Sequence, residues 1–149
     1  MQGTIVIGSD HAGYCLKEKI KERLAGKYKV IDKGTESEGK CDYPDYSYKV
    51  AKEVAKGKSL GILICGTGIG MSIAANKVKG IRAALCCSEF MAKAAREHND
   101  ANILCLGARI LEENEALKIV DAFLTSDFSK EERHVKRVKK MMQIEKKEK

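Results

Sequence analysis

Short aliphatic runs alternate along the chain with longer segments whose apolar residues recur every three or four positions. Thr4–Gly8 (TIVIG) predicts a first strand. Tyr14–Gly26 carries Leu16, Ile20 and Leu24 at four-residue spacing, one face of a helix, with Gly26 placed as its stop. Tyr28–Asp32 predicts the second strand. A polar stretch rich in Gly, Ser and Asp follows, up to the only proline, Pro44, and reads as a loop. Tyr46–Lys56 repeats the helical pattern through Val50 and Val54. Leu60–Cys65 (LGILIC) is apolar throughout, as befits a central parallel strand covered on both faces. Next come a helix over Ile69–Lys77, a strand over Ile81–Cys86, a helix over Glu89–Glu97 and a strand over Asn102–Leu106. A helix over Asn114–Leu124 and a basic final helix from about Glu131 complete the pattern. Strands alternating with helices imply βαβ units, so the expected fold is α/β: a three-layer, Rossmann-like single domain over residues 1–149 with a five-stranded parallel sheet.

Composition narrows the function classes. With 149 residues, 44% hydrophobic and 33% charged, the chain has the make-up of one folded globular domain. Leu60–Cys65, the longest apolar stretch, is far too short to span a bilayer, and the N-terminus runs into a strand without a basic leader. The expectation is a cytoplasmic protein without a membrane partner. The six cysteines form no C-x-x-C pair and lack zinc-finger spacing, so they are expected to be free thiols, with no metal site. The net charge of +7 raises the question of nucleic acid. Nine Lys/Arg against four Asp/Glu lie in Lys130–Lys149, leaving +2 for all the rest. That tail has no aromatic residue on which a base could stack, so a solvated helix is expected and nucleic-acid binding is not. A third reading of the tail is phosphate binding by Arg133 and Arg137, which stand four apart on one helix face.

Ligands of open parallel sheets bind beyond the carboxyl ends of the strands. Strand one leads into Ser9-Asp10-His11-Ala12-Gly13, strand three into Cys65-Gly66-Thr67-Gly68-Ile69-Gly70, and strand five into Gly107-Ala108-Arg109. The helix after strand four ends in Arg96-Glu97-His98-Asn99-Asp100, and all four segments are expected on one rim. In CGTGIG, glycines at alternate positions let successive N–H groups turn inward and cradle an anion at a helix N-terminus. The segment is neither a Walker motif, lacking Gly-Lys-Ser/Thr, nor the dinucleotide fingerprint, whose last glycine comes one position later. By themselves these glycines also suit tight packing, and Cys65 also suits a buried strand position. A thiol at the start of such a turn would feel the positive end of the helix, which favours the thiolate. His11 and His98, at element ends, complete a set of candidate acids and bases.

These segments together resemble a known family. SDHAG, DYPDY, GILICGTGIGMSIAANKVKGIRAA and REHNDANIL are similar to type B ribose-5-phosphate isomerases, a group whose wider family includes galactose-6-phosphate isomerase subunits. The resemblance covers nearly the whole chain. It implies a Rossmann-like homodimer or tetramer, with active sites at the subunit interface, that acts on a sugar phosphate with no cofactor, neither metal nor nicotinamide. It implies Cys65 as the base shuttling a proton between carbons 1 and 2, His98 as the acid opening the furanose ring, and Thr67 as an assistant. The amides of Gly66, Thr67, Gly68, Ile69 and Gly70 would hold the enediolate oxygen. Asp10, His11, Tyr43 and Asn99 would contact the sugar, and Arg109, Arg133 and Arg137 substrate and phosphate. One local departure is Phe128–Glu132 (FSKEE), acidic where relatives often carry a glycine-rich turn. Two alternatives remain open: an isomerase of a six-carbon sugar phosphate, such as allose 6-phosphate or galactose 6-phosphate, and a non-catalytic sugar-phosphate binder.

Overall fold

In the computed structural model, which describes residues 2–148, five strands pair in parallel in the order β2-β1-β3-β5-β4. They are β1 (Thr4–Ser9), β2 (Lys29–Asp32), β3 (Leu60–Cys65), β4 (Ala83–Leu85) and β5 (Ile103–Gly107). The helices are α1 (Tyr14–Leu24), α2 (Tyr43–Val54), α3 (Ile69–Ala75), α4 (Glu89–Glu97), α5 (Glu113–Leu124) and α6 (Glu132–Lys147).

Side chains of a strand alternate between its faces, and the two cores follow from that alternation. Ile5, Ile7, Ile62, Ile64, Leu104 and Leu106 meet Leu16, Ile20 and Leu24 of α1, Ala92 and Ala95 of α4, and Phe123 of α5. Val6, Leu63, Cys65, Ile103 and Cys105 meet Val50 and Val54 of α2 and Met71 of α3. Right-handed crossovers account for this division. From β1 the chain moves outward to β2, whereas from β3 it moves outward to β4, so the helices that follow cover opposite faces. The winding therefore reverses between β1 and β3, and a crevice opens beyond their carboxyl ends.

Several boundaries differ from expectation by one to three residues, and two of them bear on the fold. α2 begins at Tyr43 rather than Tyr46, so Pro44 lies in its first turn and not in the loop. A missing N–H costs nothing there, because first-turn amides have no intrahelical partner. β4 is confined to Ala83–Leu85, where the ladder to β5 forms, rather than Ile81–Cys86. No helix among the described residues is long and apolar enough to cross a membrane.

A buried ion pair anchors the chain just past β2. The Lys17 side chain is 1% exposed, and its Nζ donates to Asp32 Oδ2 at 2.5 Å and to Glu18 Oε1 at 3.1 Å. Lys21 Nζ and the Gly34 N–H donate to the same Asp32 carboxylate, both at 2.9 Å. Burial alone would push the Asp32 carboxyl up, but these cations and the N–H outweigh it and hold the group below the ordinary carboxylate range. The unfolded chain then binds the proton more readily. The stabilisation is complete above about pH 4 and is lost as pH falls through the lowered folded value. Asp32→Ala leaves the Lys17 ammonium in the interior with only a half-exposed glutamate, a loss on the order of 3 kcal/mol by urea unfolding.

Candidate active site

β1, β3 and β5 are neighbours, so the segments leaving them share the crevice. Asp10 N donates to Ile64 O at 3.3 Å, Ala108 N to Cys65 O at 2.9 Å and Arg109 N to Gly66 O at 2.9 Å. These bonds lock the three turns side by side. The glycines permit that approach: a Cβ at Gly13 would stand 2.6 Å from Ile64 O, and one at Gly107 2.6 Å from Thr67 O.

Cys65 ends β3 with its side chain on the α2/α3 face, 5% exposed among Leu63, Met71 and Cys105. Its sulfur is not sealed into hydrocarbon. Gly68 N donates to Cys65 Sγ at 3.1 Å across the turn, aiming a backbone dipole at the atom that would carry charge as a thiolate. Gly68 is left-handed at φ +80°, and a Cβ there would strike Leu85 and the Leu106 backbone, so the turn requires glycine at this position. Thr67 Oγ1 accepts from Ile69 N at 3.3 Å. The Arg109 guanidinium lies over Gly66, and the Tyr43 ring lies against Gly70. At the β1 end, Asp10 Oδ1 accepts from Gly13 N at 3.1 Å across the turn that leads into α1. Cys41 N donates to His11 Nδ1 at 3.3 Å, which places the proton of the neutral ring on Nε2. The structure thus brings together Cys65, Gly66, Thr67, Gly68, Ile69, Gly70, Asp10, His11, Tyr43 and Arg109.

His98, Asn99, Arg133 and Arg137 are not part of this group, and the expectation of a single rim is corrected here. β4 and β5 run parallel, so α4 must return from the carboxyl end of one strand to the amino end of the other. His98 and Asn99 therefore lie at the amino end of the sheet, just before β5. Asn102 O there accepts from Gly61 N at the start of β3. A six-residue strand spans roughly 20 Å, so Cys65 and His98 of one chain stand about that far apart.

At this second locus the His98 and His134 rings stack, with centroids 4.5 Å apart. Arg133 and Arg137 follow on α6, Arg133 Nε donating to Glu131 Oε2 at 2.9 Å. The turn leading into α6 contains Lys130 at φ +58°, in the FSKEE stretch; glycine adopts that conformation without strain. His134 and Ser129 were not singled out by sequence reasoning. Their one signal is the Arg-His pair opening a helix, which acquires meaning only when the fold sets it against His98.

Around the thiol, Ile69 and Ile73 of α3, Phe90 and Met91 at the start of α4, and Ile110 after β5 are exposed apolar side chains, Phe90 by 79%. On α6, Val135, Met141 and Ile144 are exposed as well. Both loci are thus flanked by surfaces suited to burial against protein. No group of three or more metal-ligating side chains occurs among the described residues.

A family profile for the ribose/galactose isomerases matches residues 5–141. A probable ribose-5-phosphate isomerase B of Mycoplasma genitalium is 47% identical over 150 residues, covering 98% of each chain. A solved ribose-5-phosphate isomerase B from Clostridium thermocellum superposes with a TM-score of 0.95 at 53% identity, covering 98% of this chain and 99% of that one. The M. genitalium isomerase B, solved with bound ribulose 5-phosphate, gives a TM-score of 0.92 at 48% identity and covers 96% of both chains.

Proposed function

The chain belongs to the ribose/galactose isomerase family, and on that premise we propose that it interconverts ribose 5-phosphate and ribulose 5-phosphate by proton transfer through an enediolate, as a cytoplasmic homodimer or tetramer. The observation that carries this reading is the Cys65 sulfur beside the glycine turn, accepting the Gly68 N–H at 3.1 Å.

The chemistry needs a base at carbon 2, a place for the oxyanion, and an open-chain sugar. The Cys65 thiolate takes the proton from carbon 2 of the aldose, and the electron pair moves into the carbon–carbon bond as the carbonyl oxygen becomes an oxyanion. The resulting thiol returns the proton to carbon 1 while the hydroxyl proton of O2 passes to O1, leaving the carbonyl at carbon 2 and giving the ketose. Amides of the turn hold the oxyanion without reorganising water, and losing one such donor costs on the order of 2.7–4 kcal/mol. Asp10, His11 and Tyr43 orient the sugar, and Thr67 assists.

His98 donates a proton to the ring oxygen as the C1 hydroxyl loses its own, which opens the furanose. Since one chain separates His98 from Cys65 by about a strand length, the site forms from two copies. One copy contributes Cys65, Tyr43 and Arg109, and its partner contributes His98, Asn99, Arg133 and Arg137. The exposed apolar residues beside each half-site support that pairing. The phosphate is gripped by Arg109, Arg133 and Arg137, so binding energy remote from carbons 1 and 2 aligns them.

The test is conversion of ribose 5-phosphate in the presence of a chelator, alongside allose 6-phosphate and galactose 6-phosphate. Turnover of the pentose above both hexoses is expected. Preference for a hexose phosphate would move the assignment within the family, and binding without conversion of any of them would leave a non-catalytic binder.

A further inference from the structure

We propose that His134 is a positioning residue for His98: its ring, anchored by Ser129, stacks on the His98 imidazole and fixes the plane from which His98 meets the sugar. This rests on the reading of His98 as the ring-opening acid. The two rings have centroids 4.5 Å apart and planes inclined by 28°. His134 is 4% exposed, whereas His98 is exposed, so the stack has a fixed member and a member open to a ligand.

The fixed member is held from both sides. Ser129 Oγ lies 2.6 Å from His134 Nδ1 and accepts from Glu131 N at 3.2 Å. Whichever atom donates, this bond pins the His134 ring through Nδ1. Ser129 N also donates to Glu97 O at 3.0 Å, tying the same turn to the residue before His98. One short turn thus grips the end of α4 through both backbone and ring.

The arrangement also allocates charge. Stacked imidazoles resist double protonation, and the other charged groups facing His134 are Arg133, Arg137 and Glu131. Burial first, then His98 and Arg133, push His134 below an ordinary imidazole, against a smaller opposing pull from Glu131. The buried ring is thus disfavoured as a carrier of positive charge.

Ribulose 5-phosphate provides a readout that omits ring opening, because its phosphorylated O5 cannot close a furanose. Solvent deuterium entering its carbon 1 reports proton abstraction alone, whereas conversion of ribose 5-phosphate reports ring opening as well. Both are measured for the intact oligomer of the wild type, His98→Asn, His134→Ala, Ser129→Ala and the His98→Asn/His134→Ala double variant.

His134→Ala is expected to slow ribose 5-phosphate conversion about tenfold or more, part of the 10²–10⁴ that a positioned acid supplies, and to leave deuterium exchange within about twofold. Ser129→Ala moves the same way by less. Ser129 is exposed, so this variant carries the test if His134→Ala does not fold. The double variant should be no slower than His98→Asn, since the two act as one unit. Equal losses in conversion and exchange, or additive losses in the double variant, overturn the proposal by giving His134 a structural or phosphate-binding role. Normal conversion by His98→Asn removes the ring-opening reading itself, and the His134 proposal falls with it.

Discussion

Cys65→Ala is expected to abolish both conversion of ribose 5-phosphate and exchange of the carbon 1 proton of ribulose 5-phosphate, while the sugar phosphate still binds. The loss should reach about 10⁴-fold, the upper range for a positioned base, because both readouts pass through the same proton transfer. Binding should survive, since the proposed sugar and phosphate contacts of Asp10, His11, Tyr43 and the three arginines are untouched. The replacement is mild for the fold: a buried thiol becomes a methyl group beside Leu63 and Met71, at a cost on the order of 1 kcal/mol. Cys65→Ser preserves an acceptor for the Gly68 N–H but offers an alcohol far too weakly acidic to serve as the base, so it too should be inactive. A folded Cys65→Ala protein with near-normal turnover would sink the thiolate mechanism.

Mixing two inactive variants should restore activity. In a hybrid of Cys65→Ala and His98→Asn subunits, one site receives both intact residues and the other receives both substitutions. Random re-pairing of equal amounts makes half the dimers hybrid, each with one working site, so about a quarter of wild-type activity should return. The subunits are unfolded together in urea and refolded as a mixture, with each variant refolded alone as the control. If Cys65 and His98 served one site within a single chain, no mixture could recover anything. This experiment tests the roughly 20 Å separation that the parallel β4–α4–β5 connection imposes.

Much of the fold was legible because its signals are local. Strand runs such as TIVIG and LGILIC, and helix faces such as Leu16, Ile20 and Leu24, state their own periodicity, and all five strands and six helices lie where those patterns put them. The errors fell at boundaries. Pro44 marks the first turn of α2 rather than the loop before it, because proline is as well suited to a helix start as to a turn. The half-site at Cys65 was readable for the same reason: residues contiguous in CGTGIG remain together in space.

The second half-site was legible in its residues but not in its place. Nothing in REHND states at which end of the sheet it falls; that depends on strand direction, and reading it as part of one rim overlooked the return path of α4. The His134 stack was invisible, since residues 98 and 134 meet only after α5 and the following turn bring α6 back.

By itself, then, the amino-acid order determined the elements, the glycine turn and its thiol, because hydrophobic period and left-handed glycine conformations are properties of short segments. Only the tertiary structure decided that Cys65 and His98, the proposed base and ring-opening acid, occupy opposite ends of one sheet, and that a buried imidazole backs the exposed one. Such facts arise from the direction of packed elements, which no short stretch of chain encodes.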